Sequence, residues 1–175
     1  MINLIEVNAS NQAQTIALYE ESFPDNERKR WETMEACVSK GTMKMYVIEK
    51  QNEVIALAFV IIDDAYLLLD YLAVAKAYQN QGIGSQILHS LAQSYPHLGL
   101  LVEIEDYDVY QEPIMKKREA FYLRNGFQVM DYRIILFGVA MQILTNKAIT
   151  FSRYKQILLQ TFGPYCEKYV QLNEL

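Results

Sequence analysis

The stretch from Leu69 to Ser85 most restricts how this chain can fold. An apolar strand, Leu69-Asp70-Tyr71-Leu72-Ala73-Val74, runs through a turn bearing Gly82 and Gly84 into an amphipathic helix. Glycine lets the backbone approach a ligand closely. The first amides of the following helix have no carbonyl partner inside it, so they point outward at an anion. The segment reads as a pyrophosphate cradle, and the fold must hold a strand before it and a helix after it.

The flanking sequence supplies the elements. Residues 2–7 read as a short first strand. Ser10 or Asn11 can cap a helix that places Ala13, Ile16 and Ala17 on one face and ends before Phe23-Pro24. A polar stretch, 25–30, leads to Trp31 and a second helix through Val38. Residues 43–49, 53–62 and 66–74, joined at Gln51-Asn52 and Asp63-Asp64, read as an antiparallel meander. After the glycine turn, Ile83, Ile87, Leu88, Leu91 and Tyr95 recur at helical spacing up to Pro96. Residues 98–105 form a fifth strand, which the strand, helix, strand order makes parallel to the fourth. The polar stretch 106–113 reads as a loop, and 114–124 as a helix closed by Asn125-Gly126. Residues 127–132 and 134–143 read as strands, and 151–162 as a closing helix. Its Phe151, Tyr154, Ile157, Leu158 and Phe162 suit either the core or a homodimer partner.

With 175 residues, 51% of them apolar, the chain is long enough for one well-buried domain, 1–175, and short for two. The net charge of −5 argues against a nucleic-acid binder, which needs a basic face, and suits a neutral or cationic small partner. Cys37 and Cys166 stand too far apart in sequence for a metal knuckle and too few for a disulfide framework, so they read as reduced thiols in a cytoplasmic protein. The N-terminus lacks a basic segment followed by a long apolar one, so no secretory signal is expected. The longest apolar run, 54–62, is far too short to span a bilayer, and no membrane association is expected.

Two motifs now converge. Gln79-Asn80-Gln81-Gly82-Ile83-Gly84 follows the fourth strand, and Arg118-Glu119-Ala120-Phe121-Tyr122-Leu123-Arg124-Asn125-Gly126-Phe127 comes about forty residues later. On these residues and the order of elements, the chain resembles the GNAT superfamily of N-acetyltransferases. The first motif matches that family's acetyl-coenzyme A signature, Gln or Arg followed by x-x-Gly-x-Gly or Ala. The second matches its tyrosine-bearing helix ending in Gly-Phe. A dinucleotide-binding or P-loop fold would place its glycines after the first strand of a parallel sheet, whereas here a meander precedes them and no Gly-Lys-Ser/Thr follows. The resemblance covers most of 1–145 and leaves 146–175 as a C-terminal helical extension. It implies an α+β fold: a mixed, mostly antiparallel sheet of about six to seven strands flanked by helices, with a parallel fourth and fifth pair that splays.

The resemblance also implies roles. The backbone of Leu72, Ala73 and Val74 would pair with the pantetheine arm and polarise the thioester. Gln79, Asn80, Gln81, Gly82, Ile83, Gly84 and Ser85 would cradle the pyrophosphate through directed hydrogen bonds and the helix dipole. The family often carries Arg or Lys where Asn80 and Gln81 stand, so the cradle is less cationic here, with Lys76 or Lys116 as the candidate substitutes. Tyr122 would protonate the departing thiolate, and Asn125 would contact the cofactor. For a general base, alternation places Glu103 and Glu105 on one face of the fifth strand near its C-terminal end, and two close carboxylates would raise one pKa. Asp70 shares the face of Leu72. Glu103 is favoured, then Asp70. The charged segment 27–31 lies where the family shapes its acceptor pocket, and His89 and His97 receive no role. The implied reaction moves an acetyl group from acetyl-coenzyme A, without a metal, to a primary amine of a small molecule or peptide. A noncatalytic acetyl-coenzyme A-binding module and a protein N-terminal or lysine acetyltransferase are the alternatives.

Overall fold

Gln51 and Asn52 both take positive φ, +52° and +67°, the twist that closes a two-residue hairpin without splaying its strands. In this computed structural model, which describes residues 2–173, they join β2 (Met43–Lys50) to β3 (Glu53–Ile62). The register runs from Met43↔Ile61 to Lys50↔Glu53, with a shift between Ile48 and Glu49. β3 is buried from Val54 through Ile61, so the uninterrupted apolar run is a strand covered on both faces.

The chain divides into two compact units. The first, Met1–Ile62 with Leu69–Leu98, holds β1 (Ile5–Glu6), α1 (Gln12–Ser22), α2 (Trp31–Ser39), β2, β3, all but the start of β4 (Tyr66–Val74), and α3 (Ile83–Ser94). Its strands follow the order β1-β2-β3-β4. α1 does not bury the expected face: Ala13 and Ala17 are exposed, Ile16 is half-buried, and Thr15, Leu18 and Tyr19 are buried. The Tyr19 ring removes more apolar area from water than two methyl groups, and it meets Tyr71 edge-on at 4.9 Å and Phe59 at 5.7 Å. Thr15 tolerates burial because its hydroxyl donates to the Asn11 carbonyl at 2.8 Å. On α3 the predicted stripe holds, with Ile87, Leu88 and Leu91 buried.

The second unit, Asp63–Leu68 with Gly99–Leu175, begins with the first residues of β4. It contains β5 (Gly99–Glu105), α4 (Tyr107–Tyr110), α5 (Pro113–Arg124), β6 (Gln128–Leu136), β7 (Val139–Thr145), α6 (Phe151–Phe162) and β8 (Val170–Leu172). β4 and β5 are parallel neighbours, and the order continues β5-β7-β6-β8 through antiparallel pairs. The fold is therefore mixed α+β and mostly antiparallel, as expected, with eight strands among the described residues.

Three local expectations change. The break between the sixth and seventh strands lies at Phe137-Gly138, both at positive φ, and not at Arg133, where β6 runs on after a shift in its pairing with β7. The 106–113 loop contains the single turn α4, capped by Asp106, whose side chain accepts from the Asp108 amide. The extension beyond 146 is not helical throughout: Val170–Leu172 adds to the edge of β6 as β8, too short to show a period of two. α6 buries Tyr154, Ile157, Leu158 and Thr161. Cys37 in the first unit and Cys166 in the second are buried and not in a disulfide, and burial pushes the Cys166 thiol up from its usual pKa. Among the described residues no helix is long and apolar enough to cross a membrane.

Candidate active site

The first unit contributes the glycine turn. After β4 the chain makes a 3₁₀ turn (Lys76–Tyr78), passes Asn80 at φ +61°, and enters α3 through Gly82 at φ +78°. A left-handed residue at this cap is easy only for glycine. The Gln86 amide makes the first intrahelical bond, to the Gly82 carbonyl at 3.0 Å. The amides of Ile83, Gly84 and Ser85 are then orphaned by helix geometry and point out of the N-terminus. Gln79, Asn80, Gln81 and Gly82 are exposed, whereas Ile83, Gly84 and Ser85 are half-buried.

The glutamine side chains brace the turn. Gln79 Nε2 donates to the Val74 carbonyl at 2.9 Å, and Gln81 Nε2 donates to the Ala77 carbonyl at 3.0 Å. These two side-chain amides are therefore spent on the turn's own backbone, and the orphaned main-chain amides remain as donors to an anion. Of the two lysines considered as substitutes for the missing cations, Lys76 lies 3.8 Å from Glu21, and Lys116 sits over the Tyr107 ring at 5.0 Å.

Asp70 shares the half-buried face of β4 with Leu72 and Val74, while Tyr71 and Ala73 are buried on the other. Its side chain is 3% exposed, and both oxygens receive the Lys29 ammonium, at 2.7 and 3.0 Å. The Lys29 amide donates to Tyr71 Oη at 2.9 Å, the Tyr71 hydroxyl donates to the Glu27 carbonyl at 2.8 Å, and the Tyr19 hydroxyl donates to the Lys29 carbonyl at 3.1 Å. These bonds fasten the segment before α2 to β4. As a base, Asp70 would first have to give up a buried ion pair.

The second unit contributes the tyrosine-bearing helix. α5 ends as predicted: Gly126 takes φ +85°, the Phe127 amide returns to the Tyr122 carbonyl at 3.2 Å, and the Gly126 amide to the Leu123 carbonyl at 3.1 Å. This cap fixes Tyr122, 5% exposed, between Phe121 and Phe127 at ring distances of 5.0 and 5.4 Å. Burial pushes the Tyr122 hydroxyl well above its ordinary pKa. The Arg118 charge opposes the shift and Glu105 adds to it. The Asn125 side-chain amide turns back to the Phe121 carbonyl at 2.8 Å.

The carboxylates at the end of β5 differ in their surroundings. Glu105 is ion-paired with Arg118. Asp106, 1% exposed, accepts from Arg133 Nε at 3.1 Å. Glu103 Oε1 accepts from the hydroxyl of Tyr154 on α6 at 2.5 Å. Helical periodicity places Tyr154 in a buried stripe, but nothing in periodicity reports where a hydroxyl finds its partner. The Lys29–Asp70 pair was equally invisible, because it joins residues on separate elements. His89 and His97 are exposed.

Residues 41–129 match the family model described as the acetyltransferase (GNAT) domain. No curated protein matches the chain in sequence. Among solved structures, the chain is similar to a Bacteroides thetaiotaomicron protein assigned to the GNAT family, with TM-score 0.75 and 19% identity over 95% of this chain and 99% of that one. A GNAT-family acetyltransferase from Elizabethkingia anophelis with acetyl-coenzyme A bound gives TM-score 0.58 and 19% identity, covering 84% and 98%. The ribosomal-protein-S18-alanine N-acetyltransferase of Escherichia coli gives TM-score 0.63 and 15% identity, covering 83% and 92%. At these identities the likeness is one of fold.

Proposed function

The chain belongs to the GNAT superfamily of acetyltransferases, and from that premise we propose that it moves the acetyl group of acetyl-coenzyme A to a primary amine of a small molecule or peptide. The observation that carries this reading is the β4 end, left-handed Gly82 and α3 N-terminus, which together offer main-chain donors to a pyrophosphate. Leu72, Ala73 and Val74 pair with the pantetheine arm along β4. Gln79, Asn80, Gln81, Gly82, Ile83, Gly84 and Ser85 form the cradle, with both glutamines bracing its backbone. Asn125 steadies the end of α5.

Attack requires a neutral amine. Glu103 takes a proton from the ammonium or from a water between them, the nitrogen adds to the thioester carbon, and the carbon–sulfur bond breaks as the intermediate collapses. Tyr122 donates its hydroxyl hydrogen to sulfur as the thiolate leaves, and the second proton, which the nitrogen loses on collapse, restores that hydroxyl through solvent. Its raised pKa keeps that hydrogen in place at neutral pH. Asp70 holds the acceptor-side segment 27–31 through Lys29.

The test is isothermal titration with acetyl-coenzyme A, with NADH as control. A thiol-release assay then uses a polyamine, a small primary amine and a peptide with a free N-terminus. We expect heat with acetyl-coenzyme A only, and thiol release that depends on one amine class. Equal heat from NADH, or none from either, would remove the reading. Specific binding with no amine-dependent release would make the chain a noncatalytic acetyl-coenzyme A-binding module.

A further inference from the structure

Tyr154 sits in the apolar stripe of α6 with Ile157 and Leu158 and is wholly buried, 0% exposed. A phenol placed there loses its water, so its hydroxyl must find a protein partner. The partner is Glu103 Oε1 at 2.5 Å. α6 lies wholly beyond the residues that match the family domain, 41–129, so this contact reaches β5 from outside the matched part of the chain. Close by, Glu105 pairs with Arg118 of α5, and Asp106 with Arg133 of β6.

We propose that Tyr154 is a positioning residue for acetyl transfer: its hydroxyl holds Glu103 Oε1 and fixes the carboxylate in one rotamer. The proposal rests on the reading of Glu103 as the base. The protons balance: the first one lost by the ammonium resides on Glu103 and returns to solvent after product departs, and the second, lost on collapse, replaces the one Tyr122 gives to the thiolate. A donor that bonds the ionised carboxylate favours that form, so the same contact keeps Glu103 ready to accept. α6 is then part of the reaction's machinery as well as the core.

Tyr154→Phe tests this, since it keeps the ring and deletes one oxygen. The primary readout is the carboxyl ¹³C titration of Glu103 in protein labelled at glutamate, with the resonance assigned by its loss in Glu103→Gln. The second is hydrolysis of acetyl-coenzyme A, with water in place of the amine, followed by thiol release from pH 5 to 9. We expect Tyr154→Phe to raise the Glu103 midpoint by about one pH unit, the scale of a hydrogen bond to a charged group. The acid limb of hydrolysis should move with it while acetyl-coenzyme A affinity stays unchanged. Tyr132→Phe, which deletes a hydroxyl donated to the Ile149 carbonyl, should move neither. An unmoved Glu103 titration in Tyr154→Phe overturns the proposal, and this readout needs no turnover. Full hydrolysis by Glu103→Gln beside a shifted titration in Tyr154→Phe overturns the base assignment instead, so the two failures are distinguishable.

Discussion

Tyr122 carries a hydroxyl whose pKa burial has raised, and the sign of that shift decides how the residue can act. The folded state holds the proton more tightly than the unfolded chain does. The associated stability is therefore present in full below the unfolded value of about 10 and fades only as pH rises above it. Across the physiological range the hydroxyl keeps its hydrogen, as the proposed donor role requires. In Tyr122→Phe we expect kcat to fall by about 10²-fold or more, the usual scale for a positioned proton donor. Acetyl-coenzyme A affinity should stay within about twofold, since the ring packing against Phe121 and Phe127 is kept. In the native protein the pH profile of kcat/KM should show no descending limb from this residue below about pH 10. A Phe variant with native kcat would leave Tyr122 as a packing residue. Asp70 gives the opposite lesson: alternation put it on the face of Leu72, but the Lys29 ammonium that occupies both its oxygens comes from a segment whose path alternation cannot predict.

The element that matters most is the strand, turn and helix around Gly82. A Cβ there would meet only Gln86 Nε2, at 4.0 Å, so space is ample and the constraint is φ alone. Holding an L-residue in the left-handed region costs about 1–2 kcal/mol, and asparagine bears it better than alanine. Gly82→Ala should weaken acetyl-coenzyme A binding by about 5- to 30-fold, and Gly82→Asn by less, on titration of both variants with the cofactor. Equal affinities would show that the cap conformation does not set the cradle. This element was legible because its parts are local: an apolar run, glycines and a periodic helix follow one another in sequence. The Gln51-Asn52 hairpin and the Gly126 cap were legible for the same reason. α1 was misread because counting apolar residues favoured Ala13, Ile16 and Ala17 over the larger Tyr19, whose partners Phe59 and Tyr71 lie on distant strands. α4 and β8 are too short to carry any period, and the β6–β7 turn falls at Phe137-Gly138 inside the stretch 134–143 that reads as one strand.

Over the whole molecule, the order of strands and helices up to β7 was readable, because each long element has its own pattern and the connections are short. What escaped are long-range side-chain bonds, Tyr154 to Glu103 and Lys29 to Asp70, which depend on packing that no single element encodes. The two cysteines belong to this scale, since each unit buries one: Cys37 at 4% and Cys166 at 2% exposure. Thiols so placed react slowly with a disulfide reagent, and the raised pKa of Cys166 slows it further. Native protein should therefore be nearly silent toward an aromatic disulfide dye over an assay's few minutes and yield two equivalents of colour in strong denaturant. Prompt reaction of either thiol in native buffer would contradict its burial. The colour seen during turnover then belongs to released coenzyme A alone, and in a denaturant series the same dye becomes a gauge of opening, Cys37 reporting on the first unit and Cys166 on the second.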